Sequence, residues 1–318
     1  MRVPALPAAC IACVACTACS APSAQGSAST LRGPARWTPA AWSSPAYESS
    51  VTFSPDGRHA VFMRADAAFG SFRLHESWCE GGHWTPPRPV PFAAPAPADD
   101  ADPGFRADGR RLYFVSTRAA RPGAPPRDDF DIWVVDRRPA GWGVPRRLPE
   151  PVNSAASELL PRAGPHGALY FGSDRPGGHG RSDIYVASPA GGAGPAAGTT
   201  GAWTVTNVGP PVSTAADEYE AEVSRDGRTL VVVVDRGDRS HLYRFASRSG
   251  RWVEQGRVPA RPDVFQVGPL LSPRGDRLLF GQADPADAAR SGELFLVDVA
   301  PAADPRWPPR CGGGADPR

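Results

Sequence analysis

The strongest constraint on this chain is a short unit that returns five times: a turn carrying one glycine, followed at once by an apolar run. The first copy is Ser54-Pro55-Asp56-Gly57-Arg58 leading into Ala60-Val61-Phe62. The second is Arg106-Ala107-Asp108-Gly109 before Leu112-Tyr113-Phe114-Val115, and the third is Gly164-Pro165-His166-Gly167 before Leu169-Tyr170-Phe171. Ser224-Arg225-Asp226-Gly227 precedes Leu230-Val231-Val232-Val233-Val234, and Ser272-Pro273-Arg274-Gly275 precedes Leu278-Leu279-Phe280. Proline presets φ for the second position of a type I turn, and the glycine takes the positive φ that starts the return strand, so each copy reads as a hairpin connection. The apolar residues are consecutive rather than alternate, which means that both faces of the strand are covered. A sheet stacked between two like sheets has that property.

Each turn and strand is followed by a third strand of shared design: Asp131-Ile132-Trp133-Val134-Val135, Asp183-Ile184-Tyr185-Val186-Ala187, His241-Leu242-Tyr243-Arg244-Phe245 and Glu293-Leu294-Phe295-Leu296-Val297. In the first copy only a faded version, Phe72-Arg73-Leu74, is visible. A fourth strand then opens on Trp84, Trp142, Trp203 or Trp252. The repeat glycines are spaced by roughly 50 to 60 residues, the length of a four-stranded blade with generous loops. The 38 Pro and 34 Gly among 318 residues agree with many short strands and tight turns rather than long helices. The expected fold is therefore all-β, a β-propeller of five recognisable blades. The fifth copy lacks a Trp strand of its own, and Trp37-Thr38-Pro39 looks like Trp84-Thr85-Pro86, so the N-terminus is expected to supply that strand and close the ring.

Ahead of the ring, residues 1–19 carry one early Arg, a small and apolar run, and Thr17-Ala18-Cys19-Ser20, which reads as a secretion signal. Ala before and Ser after Cys19 resemble a bacterial lipoprotein processing site, at which Cys19 becomes lipidated; Cys16 stands where that pattern has Leu. Cys10, Cys13, Cys16 and Cys19 share a spacing of three, but lie in this leader without the polar, glycine-bearing loops that wrap a metal. Residues 20–36 read as a flexible tether, 37–300 as the propeller and 301–318 as a disordered tail. Cys79 and Cys311 remain; in an oxidising compartment they invite a bridge, and two free thiols are the alternative.

The turn motif before an apolar strand, followed by Asp-Ile-Trp or Asp-Ile-Tyr, Trp, and Pro151-Val152-Asn153-Ser154 with Glu158 close behind, resembles the WD40-like (PD40) propeller repeat of the TolB type over residues 37–300. That resemblance implies an exported propeller, with six blades as the alternative count because six is the family's commoner number. It extends to the propeller alone, not to the α/β domain that precedes it in TolB itself.

Function is less sharply written. A net charge of +2, with all 35 basic residues Arg and scattered through turns beside 33 acidic ones, gives no basic stripe, and no nucleic-acid partner is expected. No Gly-x-Ser-x-Gly elbow or His-Glu-x-x-His pair occurs, and the Gly-rich run at 175–180 lacks the strand-to-helix setting of a phosphate loop. Asp56, Asp108 and Asp226 are read as turn residues because His166 and Arg274 replace them in other copies, and Asp131 and Asp183 as caps of local backbone. The acids before the innermost strands, Glu48, Asp102, Glu158, Glu218 and Glu220 with Asp217 and Glu222 beside them, are expected near one mouth of the central channel. There they could bind a cation or a basic peptide, or instead make ion pairs with Arg106, Arg162 and Arg225. No cofactor or bound metal is otherwise expected. The reading is a scaffold of the bacterial envelope, periplasmic or on the outer membrane, held by a lipid anchor. It engages a protein or peptide at that mouth or on loops 118–129 and 189–202; a propeller-type glycan hydrolase or lyase using the mouth carboxylates is the alternative.

Overall fold

The computed structural model describes residues 33–121, 123–190, 202–283, 291–301 and 303–312. The leader 1–19 with Cys19, the first part of the tether and most of loop 189–202 lie outside them. The described chain is built of strands, with one 3-10 turn at Pro165–Gly167. Five antiparallel sheets form in sequence order, each an up-and-down meander whose first strand faces the axis. Those inner strands are Tyr47–Phe53, Asp100–Phe105, Glu158–Ala163, Asp217–Val223 and Gln266–Leu271. Each touches the next, and the fifth touches the first, so the sheets form a closed ring: a five-bladed β-propeller.

The turn chemistry is the one the repeat implies. Gly57, Gly109, Gly167, Gly227 and Gly275 all have φ between +66° and +80°, a region that a side chain disfavours. Asp56, Asp108 and Asp226 each accept a hydrogen bond from the backbone N–H two residues on. The second strands, such as Arg111–Ser116 and Thr229–Asp235, are buried nearly throughout, as sheets covered on both faces require. The third strand of blade 1 is not faded: Phe72–Glu80 is nine residues long and pairs along the whole of His59–Ala65. Its polar sequence hides it: His75 stacks on Phe62 of its own blade, and Glu76 accepts from Trp142 Nε1 of the next.

The seam between blades 5 and 1 is closed from both ends of the chain. Ala35 and Arg36 pair with Leu296 and Phe295 as the outer strand of blade 5, and Trp37 N–H donates to Leu294 O at 2.8 Å. The propeller thus begins two residues before Trp37, inside the segment expected to be tether. The tail expected to be disordered is likewise ordered over 303–312. Arg277 donates to the carbonyls of Asp304 and Trp307, Pro309 lies against Gly57, and Cys311 is bonded to Cys79 with Cα atoms 5.3 Å apart. Covalent attachment to blade 1 and capture of two carbonyls by one buried-side Arg are what hold a Pro- and Gly-rich strap in place.

Candidate functional site

Nine residues before each repeat glycine stands the first conserved feature of the inner strands: Glu48, Asp100, Glu158, Glu218 and, in the fifth blade, Gln266. These side chains are buried, and in three blades an Arg clamps them. Arg64 Nε donates to Glu48 at 2.9 Å, Arg118 Nη2 to Asp100 at 2.6 Å, and Arg175 Nη2 to Glu158 at 2.9 Å. Each of these guanidiniums also lies over an aromatic ring of the second strand: Phe62, Phe114 and Phe171 respectively. The same carboxylates hold the loop entering the strand, Glu158 taking Ser154 Oγ at 2.6 Å and Glu218 taking Thr214 Oγ1 at 2.5 Å. Burial raises the pKa of Glu48, to about 7, and also those of Glu158 and Glu218. Glu48, Glu158 and Glu218 are thus fastened inside their own blades rather than offered to a ligand, and the Arg residues that hold them are not the three expected from sequence. Asp131 also differs from expectation: it is ion-paired with Arg147 and Arg127, whereas Asp183 does accept local backbone N–H groups from His179 and Gly180.

Two residues further along each strand the repeat diverges, to Ser50, Asp102, Leu160, Glu220 and Gly268. Each inner strand shifts register here, the β-bulge that turns one residue toward the axis. Ser50, Asp102 and Leu160 have positive φ at this point, and so does Gly268, where a Cβ would lie 2.5 Å from Ser50 N. Asp102 accepts from Ser50 Oγ at 2.9 Å and Leu160 N–H at 3.2 Å, and Glu220 accepts from Gly268 N–H at 2.6 Å. Below them Arg162 crosses the passage, its Nε 2.7 Å from Glu222 and its Nη1 bonded to Pro103 O at 2.9 Å. It fits because Gly104 has no Cβ, which would stand 2.9 Å from Nη1. Burial raises the pKa of both Asp102 and Glu220, and at Glu220 the neighbouring Asp102 charge adds to burial and carries it to about 8. Of the expected mouth acids, these two meet at the axis.

Above them the passage opens into a cavity of about 360 Å³ lined by Met63, Phe69, Phe72, Phe130, Leu159, Tyr219, Phe265 and Val267, with Asp102 and Glu220 as its floor. The rings follow one another around the rim. Tyr47 lies 4.8 Å from Phe69 and 5.5 Å from Phe265, Phe69 lies 6.2 Å from Phe72, and Phe72 lies 6.0 Å from Phe130. Phe69 sits at φ +55°, an unfavourable backbone for a bulky residue, at a hairpin tip that Asp66 holds through the N–H groups of Ala68 and Gly70 at 2.9 Å. The lower end differs: Trp307 and Pro309 of the C-terminal strap line a cavity of about 150 Å³ whose inner wall is Arg162 and Glu222. Among the described residues no group of three His, Cys, Asp or Glu is arranged to hold a metal ion.

The rim aromatics were not legible as a set, because they sit on loops and at strand starts with no shared spacing. Asp100 was missed in favour of Asp102, although counting back nine residues from each glycine separates the repeating acid from the divergent one.

No protein-family model matches the chain, and no curated protein matches it in sequence. Its fold is similar to that of a putative TolB from Agrobacterium tumefaciens, 18% identical, with a TM-score of 0.51 over 81% of this chain and 79% of that one. It is similar also to Zg3597, a family 117 glycoside hydrolase of the marine bacterium Zobellia galactanivorans, 9% identical, with a TM-score of 0.51 over 87% and 92% of the two chains. At such identities the likeness establishes the propeller fold alone.

Proposed function

We propose that the chain is an exported binding module whose seat is the aromatic cavity at the open end of the ring, and that its partner is a protein or peptide of the bacterial envelope presenting an apolar side chain. The observation that carries this is the lining: nine apolar or aromatic residues enclose the space, and the polar groups are confined to its floor. The Cys79–Cys311 bridge supports an oxidising compartment, in keeping with the leader-like N-terminus and a lipid anchor at Cys19. Glycan hydrolysis by Asp102 and Glu220 is the second reading, favoured by the raised pKa of Glu220 beside a second carboxylate. Against it, both oxygens of Asp102 already accept hydrogen bonds, and the Tyr219 hydroxyl is bonded to Ser240 Oγ at 2.5 Å, leaving few groups to recognise sugar hydroxyls.

Selection of a phage-displayed peptide library on the immobilised protein tests the proposal. Peptides presenting Phe, Leu or Met are expected to be enriched, and Phe265→Ala or Phe69→Ala to reduce their capture at least tenfold. Capture indifferent to both substitutions refutes it. Turnover of a glycan panel that Glu220→Gln abolishes would establish the second reading instead.

A further inference from the structure

We propose that the aromatic cavity selects a protonated primary amine, entering with its nitrogen toward Asp102 and Glu220, so that the partner group it takes is a cation carried on an apolar stem. The inference rests on the seat assigned above and adds the chemistry of its floor. Glu220 is 7% exposed and lines the cavity; Oε2 takes the Gly268 N–H, and Oε1 has no hydrogen-bond partner among the described residues. Asp102, 5% exposed, stands beside it. Three axial carboxylates, Asp102, Glu220 and Glu222, share the one guanidinium of Arg162, and that guanidinium is already engaged by Glu222 on the side away from the cavity. The floor therefore carries uncompensated negative potential, which it relieves by holding protons: burial and the neighbouring carboxylate keep Glu220 protonated at neutral pH. An ammonium group supplies the missing charge and donates to Oε1, while Phe69, Phe72, Phe130 and Phe265 line the space around its apolar stem. An alkyl or aryl group without the amine satisfies the walls and leaves the floor as it is. An anion meets the carboxylates and is excluded.

The groups facing Glu220 are Asp102 and Arg162 from blades 2 and 3, with the buried Tyr47 and the wall residue Tyr219 beside it, both phenols raised first by burial and further, where Glu220 is ionised, by its charge. Amine binding near neutral pH is thus expected to expel a proton from the Asp102–Glu220 pair.

The test is isothermal titration of the full-length protein with 2-phenylethylamine and with its uncharged counterpart 2-phenylethanol. The amine is expected to bind at least tenfold more tightly, with an enthalpy that varies with the ionisation enthalpy of the buffer. Glu220→Gln, which keeps an acceptor for Gly268 N–H, is expected to abolish the preference for the amine over the alcohol; Asp102→Asn is the second variant, each checked for the wild-type melting transition. Equal binding of the two probes, both weakened by Phe265→Ala, overturns the amine inference and leaves the seat standing. Binding of neither probe, or binding indifferent to Phe265→Ala, overturns both.

Discussion

Removing the bond between Cys79 and Cys311 is expected to be the costliest change that leaves the core of the ring untouched. The bridge spans 232 residues, almost the whole propeller. A cross-link closing a loop of that length lowers the entropy of the unfolded chain by an amount worth roughly 5 kcal/mol at 25 °C. The N-terminal closure is a set of local contacts: two residues in register, the Trp37 and Thr38 N–H bonds to Leu294 O, the Leu294 N–H bond to Thr38 Oγ1 and the Arg36–Glu293 pair, with the hydrogen bonds worth about 1 kcal/mol each. The bridge alone is therefore comparable to the whole set of contacts by which the outer strand completes the fifth sheet. Guanidinium denaturation of the oxidised protein and of the Cys79→Ser/Cys311→Ser variant, followed by tryptophan fluorescence, measures the difference. We expect a loss of about 3–5 kcal/mol, with a larger m-value for the variant because its unfolded chain exposes more surface. A loss below about 1 kcal/mol would show that the strap is not what holds the seam, and that the entropic argument fails here.

Stability should fall as pH rises across the range set by the buried acids. Glu48 and Glu222 each have an ordinary value of 4.5 and are raised to about 7 in the folded protein, mainly by burial. The folded state then holds protons that the unfolded state has released, so the stabilisation is present in acid and declines from about pH 4.5 through about pH 7, with Glu220 carrying the decline on to about pH 8. Urea midpoints measured across this range should show that slope, and Glu48→Gln should reduce it by the share of that one group; a midpoint that rises with pH contradicts the assignment. Gly172→Ala should both destabilise the protein and weaken binding at the mouth, because its Cβ would stand 1.9 Å from the carbonyl oxygen of Tyr219, a wall of the cavity. Overpacking of this kind costs upwards of 1–3 kcal/mol, read as a drop in melting temperature of about 2–4 °C per kcal/mol for a domain of this size.

The blades were legible because their signals are local. A positive-φ glycine, an apolar run and a following Trp each act within a few residues, and five repetitions place the sheets without knowledge of any contact between them. The candidate site is not local. Phe69, Phe130 and Phe265 come from three loops that only ring closure brings together, and nothing in their own neighbourhoods marks them. Glu48, Glu158 and Glu218 illustrate the converse: acids repeated blade by blade look like a converging ligand set, yet repetition is the mark of a structural task, here the clamp by Arg64, Arg175 or a threonine hydroxyl. Asp102 and Glu220 stand where the repeat breaks, and a break at one register position is the signal that a functional residue leaves in a repetitive chain. Arg162 was identified as a partner for inner-strand acids, and it is one, but its partner is Glu222 rather than the repeating set.

The Arg162–Glu222 pair stands between the upper cavity and the lower one, so the two ends of the ring are separate chambers. A visitor to the aromatic chamber leaves by the way it came, and the chamber under the C-terminal strap fills, if at all, from the opposite end. The two ends of one ring are thus free to carry unrelated guests.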